Sequence, residues 1–202
     1  GRLEHQGENY DIFARRIGET GQFLLDVMAP EALRPGGPGI RAIQKVRLIH
    51  ASIRFFVQES GRWDCAAWGL PINQEDLAVT LATFSSVITD ALDQFDIHAD
   101  TRHIEAYQHT WAAIGELLGI LPELTPRDTA NSRALKAQIL ERQTAASEAG
   151  YLLADALMSF VRDNSPKEFR RLPETLLLYL NGPERAQLLG VKPRVCYLGM
   201  AV

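Results

Sequence analysis

Ile40-Arg-Ala-Ile-Gln-Lys-Val-Arg-Leu-Ile-His-Ala-Ser-Ile-Arg-Phe-Phe-Val-Gln58 is the stretch whose reading decides the fold. Its apolar positions Ile43, Val46, Ile53 and Val57 recur at helical spacing, which predicts one amphipathic helix ended by Gly61. His50 falls on the same stripe, four residues after Val46 and three before Ile53. The chemistry to be explained therefore sits on a helix.

Outward from this helix, proline sets the boundaries. The ten prolines cluster at 30–38, at 71, at 122–126 and from 166 onward, leaving proline-free stretches of 32, 50 and 39 residues. Proline ends or kinks helices, so long helices belong in those gaps. A first helix is predicted from about Asn9 to Met28, interrupted by Gly18 and Gly21. A Pro35-Gly-Gly-Pro-Gly39 turn follows it. The loop Arg62–Pro71 carries two of the three tryptophans. Asn73-Gln-Glu-Asp76 reads as an N-cap with acids in the first turn, opening a helix to about Phe95.

Another helix is predicted from Thr101, with Ile104, Tyr107, Trp111, Ile114 and Leu118 on one face and Gly119 past its end. Ser132–Val161 reads as one long helix weakened at Gly150. Ser165-Pro-Lys-Glu168 reads as a capping box for a last helical region, punctuated at Pro173 and at Asn181-Gly-Pro183. Only Val195–Val202 resembles a strand. The fold expected is all-α, a single-domain bundle of six or seven helices over residues 1–202.

Composition is consistent with a packed core. The 202 residues are 46% hydrophobic and 23% charged, which excludes a disordered or low-complexity chain. A net charge of −4 argues against a nucleic-acid partner. No apolar run approaches the roughly 20 residues of a transmembrane helix. Cys65 and Cys196 are too few for a disulfide framework, and a reducing cytoplasm is the expected compartment.

Within the opening stretch, Arg47, His50 and Arg54 lie at i, i+3 and i+7 and share one helix face. One reading makes His50 a core histidine bonded to a carbonyl, with the arginines paired to carboxylates of a neighbouring helix. The other answers two permanent cations beside an imidazole with a ligand that has an apolar body and carboxylates. Haem is such a ligand, since imidazole ligates its iron and guanidinium groups pair with its propionates.

A second polar set is Arg16, Glu19 and Thr20 on the first helix, at i, i+3 and i+4. It reads either as a solvated face with one ion pair or as part of a site opened by Gly18 and Gly21. His5, His98, His103 and His109 carry weaker signals. Zinc, di-iron, nucleotide and serine-hydrolase motifs are absent from the sequence.

Three segments resemble the latex-clearing protein (rubber oxygenase) family: RLIHASIR (Arg47–Arg54), GLPINQEDLAVTLATFS (Gly69–Ser85) and WAAIGELLGILPEL (Trp111–Leu124). That family also includes the membrane-bound oxygenase of mycophenolic acid biosynthesis. The resemblance runs from about residue 10 to residue 191.

It implies an all-α fold holding haem b, with His50 as the iron ligand and Arg54 as the arginine that accompanies it. It also implies that Arg16 and Thr20 lie over the haem, and that Glu19 stands where the rubber oxygenase has a lysine. The family's catalytic glutamate falls near or before the first residues of this chain, where Glu4 and Glu8 stand. The activity implied is haem-dependent cleavage of a carbon–carbon double bond by dioxygen, in an apolar, isoprenoid-like substrate. Two alternatives stand beside it: a haem- or lipid-binding module without turnover, and a ligand-free interaction domain in which His50 is structural.

Overall fold

The structure is a computed structural model that describes residues 2–170 and 172–191; the side chains of residues 2–10 and 13 fall outside that description. Nine α-helices and two short 3-10 turns, with no strand, make up the described residues. The all-α expectation holds. The segment Val195–Val202 lies outside the described residues. The chain divides into two compact units, Thr20–Thr144 and Gly1–Glu19 with Ala145–Val202.

Helix α1 (Arg2–Met28) runs through the division between the units, and its last turns belong to the larger one. The Pro-Gly-Gly-Pro-Gly segment then turns the chain into α2 (Pro38–Glu59), with Pro38 in the first helical turn. Gly36 takes a left-handed backbone, φ 74°, while Gly37 and Gly39 are there for space. A Cβ at Gly39 would stand 3.2 Å from the Val27 Cα and 3.0 Å from the Ala32 carbonyl oxygen. Only glycine lets α2 start so close to the end of α1.

A single turn, α3 (Cys65–Trp68), is capped by the Asp64 carboxylate, which accepts from the Ala66 and Ala67 amides. The expected N-cap at Asn73 is present as a full capping box with Asp76, opening α4 (Gln74–Phe84). One helix to Phe95 was expected here, yet the chain breaks at Ser85 and restarts as α5 (Ser86–Gln94). No proline or glycine marks this break. Buried hydroxyls do, since Ser85 donates to the Leu81 carbonyl and Ser132 donates to Ser86 across helices.

The predicted helix from Thr101 is α6 (Thr101–Leu118), with Gly119 in the left-handed conformation past its end. Trp111 is 1% exposed, stacks on Phe84 with centroids 5.3 Å apart and meets Tyr107 edge-on. Around it pack Val27, Ile43, Ala78, Leu81, Ile114, Ile120 and Ile139, which form the core of the larger unit. Helix α7 (Thr129–Gln143) closes that core and is tied by Arg133 and Lys136 to Asp90 of α5, and by Arg142 to Glu75 of α4.

The stretch read as one helix from Ser132 to Val161 is two. Residues 144–147 separate α7 from α8 (Glu148–Asp163), which Ser147 caps by accepting from the Gly150 amide. The Ser165–Glu168 capping box does not form. Ser165 turns its hydroxyl back to the Val161 carbonyl at 2.6 Å, and residues 167–169 make only a 3-10 turn. In the smaller unit α8 packs on α9 (Leu172–Leu188) through Met158, Leu177 and Ala186, and the Arg162–Glu174 ion pair joins the two helices. The expected break at Asn181-Gly-Pro183 is a kink at Gly182. No helix among the described residues is long and apolar enough to cross a membrane.

Because Trp111 anchors the core shared by α4, α6 and α7, Trp111→Ala is expected to cost about 3–5 kcal/mol. Urea denaturation measures this, and a loss under about 1 kcal/mol would show that the core does not centre on this ring.

Candidate functional site

Helix α2 carries the site, and its buried face supplies only Gly39 and Ile43 to the core. His50 is half-buried, and neither ring nitrogen makes a hydrogen bond among the described residues. A core histidine bonded to a carbonyl is therefore not what the structure contains. Burial, and then the Arg54 guanidinium beside it, push the His50 pKa below the ordinary imidazole value. At neutral pH the ring is uncharged and keeps a nitrogen lone pair for a ligand.

The two arginines of the same face have separate destinations. Arg54 is partly buried and forks onto the backbone, with Nε donating to the Pro71 carbonyl at 3.0 Å and Nη2 to the Ile72 carbonyl at 2.7 Å. Arg47 is exposed and donates through Nη1 to the Leu117 carbonyl at 3.0 Å. There it lies over Gly119, at the negative end of the α6 dipole. Neither arginine reaches a carboxylate among the described residues, so a pairing with acids of a neighbouring helix is absent too. The structure keeps Arg54 beside His50 and anchors Arg47 to the end of α6.

Ile72 has a left-handed backbone, φ 54°, just before the Asn73 cap. A β-branched side chain in this conformation costs about 1–2 kcal/mol. Sequence reading missed this turn, because isoleucine is among the least expected residues there. The only signal was Pro71, whose fixed φ starts a turn.

Of the polar set on α1, Glu19 is exposed and forms an i,i+4 ion pair with Arg15, Nε to Oε1 at 3.0 Å. Arg16 and Thr20 are exposed on the same helix. Arg16 and Glu19 belong to the smaller unit, and Thr20 opens the larger one, to which His50 belongs. Glu4, His5 and Glu8 have side chains outside the described residues. His98 is an exposed partner of Asp96 at 2.9 Å, and His103 and His109 are exposed.

Much of the α2 surface is apolar and exposed. Leu48, Ile49, Ile53, Phe55 and Phe56 are all exposed, as are Trp63 and Trp68 of the following loop. No three His, Cys, Asp or Glu side chains gather into a metal cage among the described residues. What α2 offers a cofactor is one neutral imidazole, a neighbouring guanidinium and a broad apolar surface. That donor set suits a flat, apolar, carboxylate-bearing group such as haem, whose iron the imidazole would hold and whose carboxylates the guanidinium would meet.

An all-helical protein that carries an unbonded, half-buried histidine on one helix is the class that the fold and site define. The chain belongs to the family of the catalytic domain of the ER-bound oxygenase mpaB/B′ and rubber oxygenase, whose family model matches residues 1–199. It is 26% identical over 178 residues to the rubber oxygenase of Streptomyces sp. (strain K30), covering 87% of this chain and 44% of that protein. A solved structure of latex clearing protein in the closed state superposes with a TM-score of 0.79 at 25% identity. That match covers 91% of this chain and 50% of the other. The chain thus spans about half the length of these relatives.

The lowered His50 pKa has a defined consequence for the protein without ligand. Unfolded His50 takes up a proton near pH 6.5, and the folded site resists it, so the unfolded state binds more protons just below that pH. Stability is therefore full above about pH 6.5 and falls as the pH drops through the window beneath it. His50→Gln is expected to flatten this part of the profile, as measured by urea midpoints at several pH values. Equal slopes in the two proteins would contradict the assigned environment.

Proposed function

We propose that the protein is a haem b-dependent dioxygenase that cleaves a carbon–carbon double bond of an apolar, isoprenoid-like substrate. The observation that carries this reading is the half-buried, uncharged and unpartnered imidazole of His50 on an apolar helix surface. Bound haem supplies the dioxygen chemistry.

His50 holds the iron. Arg54 uses two of its five donors on the backbone and keeps the others for a propionate. Arg47, exposed and bonded through one nitrogen, is the second cation assigned to the propionates. Ile49, Ile53 and Phe56 shield the ring face from water and give an apolar substrate its contact surface. On the family resemblance, Arg16, Thr20 and Glu19 are assigned as polar residues of the reaction, the Glu19 carboxylate being held by Arg15. The exposed, unpaired thiol of Cys65 supports a reducing, cytoplasmic setting.

Purified protein supplied with haem during expression is expected to show a Soret band that His50→Ala removes or shifts. The loaded protein is expected to consume dioxygen with a polyisoprenoid or farnesyl-chain substrate and to release carbonyl products. Haem binding without oxygen uptake across such substrates would make the protein a carrier or sensor. Failure of the wild-type protein to bind haem would overturn the reading as a whole.

A further inference from the structure

The guanidinium of Arg54, one helical turn after His50, grips two consecutive backbone carbonyls, at 3.0 and 2.7 Å. The second belongs to Ile72, a β-branched residue in the left-handed region. Such a conformation persists only where its surroundings over-determine it. On the far side, Asn73 fixes the chain direction through its capping box, accepting from the Glu75 and Asp76 amides while its own amide donates to Asp76. On the near side, Trp63 Nε1 donates to the Gly69 carbonyl and Asn73 Nδ2 to the Leu70 carbonyl. Pro71 is buried between these anchors. The turn is held from both ends, and the only side chain of α2 bonded to its Pro71 and Ile72 carbonyls is Arg54.

We propose that Arg54 is a positioning residue that clamps the strained Pro71–Ile72 turn to α2 and thereby fixes the helix face carrying His50. The role at the haem rests on the function proposed above; the clamp itself does not. A lysine has the charge but not the fork, so it cannot engage both carbonyls in the same geometry. Glycine at position 72 adopts a left-handed backbone freely and removes the need for a clamp.

The test is a two-by-two set: wild type, Arg54→Lys, Ile72→Gly and the double variant, with Arg54→Gln as a second way to break the fork. In the protein without haem, Arg54→Lys is expected to speed amide hydrogen exchange across residues 69–76 about tenfold or more, with α6 and α7 amides unchanged. In the Ile72→Gly background the same substitution is expected to have less than about a third of that effect. In haem-loaded protein, Arg54→Lys, which keeps a cation for the propionate and loses only the fork, is expected to shift or broaden the Soret band, and the double variant to restore it. Unchanged exchange in both Arg54 variants, or an equal effect in both backgrounds, overturns the clamp. A Soret band identical in wild type and Arg54→Lys overturns the positioning of His50. A wild-type protein without haem refutes the proposed function, and exchange alone then decides the clamp.

Discussion

Arg47 and Arg54 straddle His50 on α2, and each gives its guanidinium to the backbone of a different element. One reaches the end of α6 at Leu117, the other the turn at Pro71 and Ile72. Charge-assisted bonds to carbonyls from both ends of the Arg47–Arg54 segment restrain rotation of the helix about its axis. Apolar packing cannot do this alone, because α2 buries only Gly39 and Ile43. Ala42, Val46 and Val57 are only half-buried, and Ile49, Ile53 and Phe56 are exposed. The arrangement spends cations where a core would otherwise sit and leaves an imidazole without a partner between them.

The rest of the larger unit supports that helix. Trp111, stacked on Phe84 and edge-on to Tyr107, fixes α6 against α4. The left-handed Gly119 ends α6 where the Arg47 guanidinium can lie over it. The Asn73 capping box starts α4 immediately after the clamped turn. Core, caps and arginines therefore meet at the two ends of one segment of α2. Within this framework the imidazole stays half-buried, and burial disfavours its charged form.

Much of the fold was legible because its signals are local. The Ile43–Val57 periodicity, the Asn73 cap and Gly119 each act within a turn of where they stand, whereas α2 already starts at Pro38, inside the segment read as a turn. The breaks at Ser85 and at residues 144–147 were not legible, because buried hydroxyls and a serine cap made them, without proline or glycine. At the site, the helix face shared by Arg47, His50 and Arg54 was visible from spacing. The destinations of the arginines were not, since backbone carbonyls contributed by Leu117, Pro71 and Ile72 leave no mark in a side-chain pattern. The left-handed Ile72 was hidden for the same reason: tertiary bonds hold it against its own propensity.

The claim on which the account rests is that His50 is a free imidazole awaiting an iron atom. Replacing it with glycine, loading the protein with haem and adding free imidazole tests this directly. The account predicts that His50→Gly loses the wild-type absorption spectrum and that imidazole restores it. A His50→Gly protein with the wild-type spectrum before any imidazole is added would contradict it.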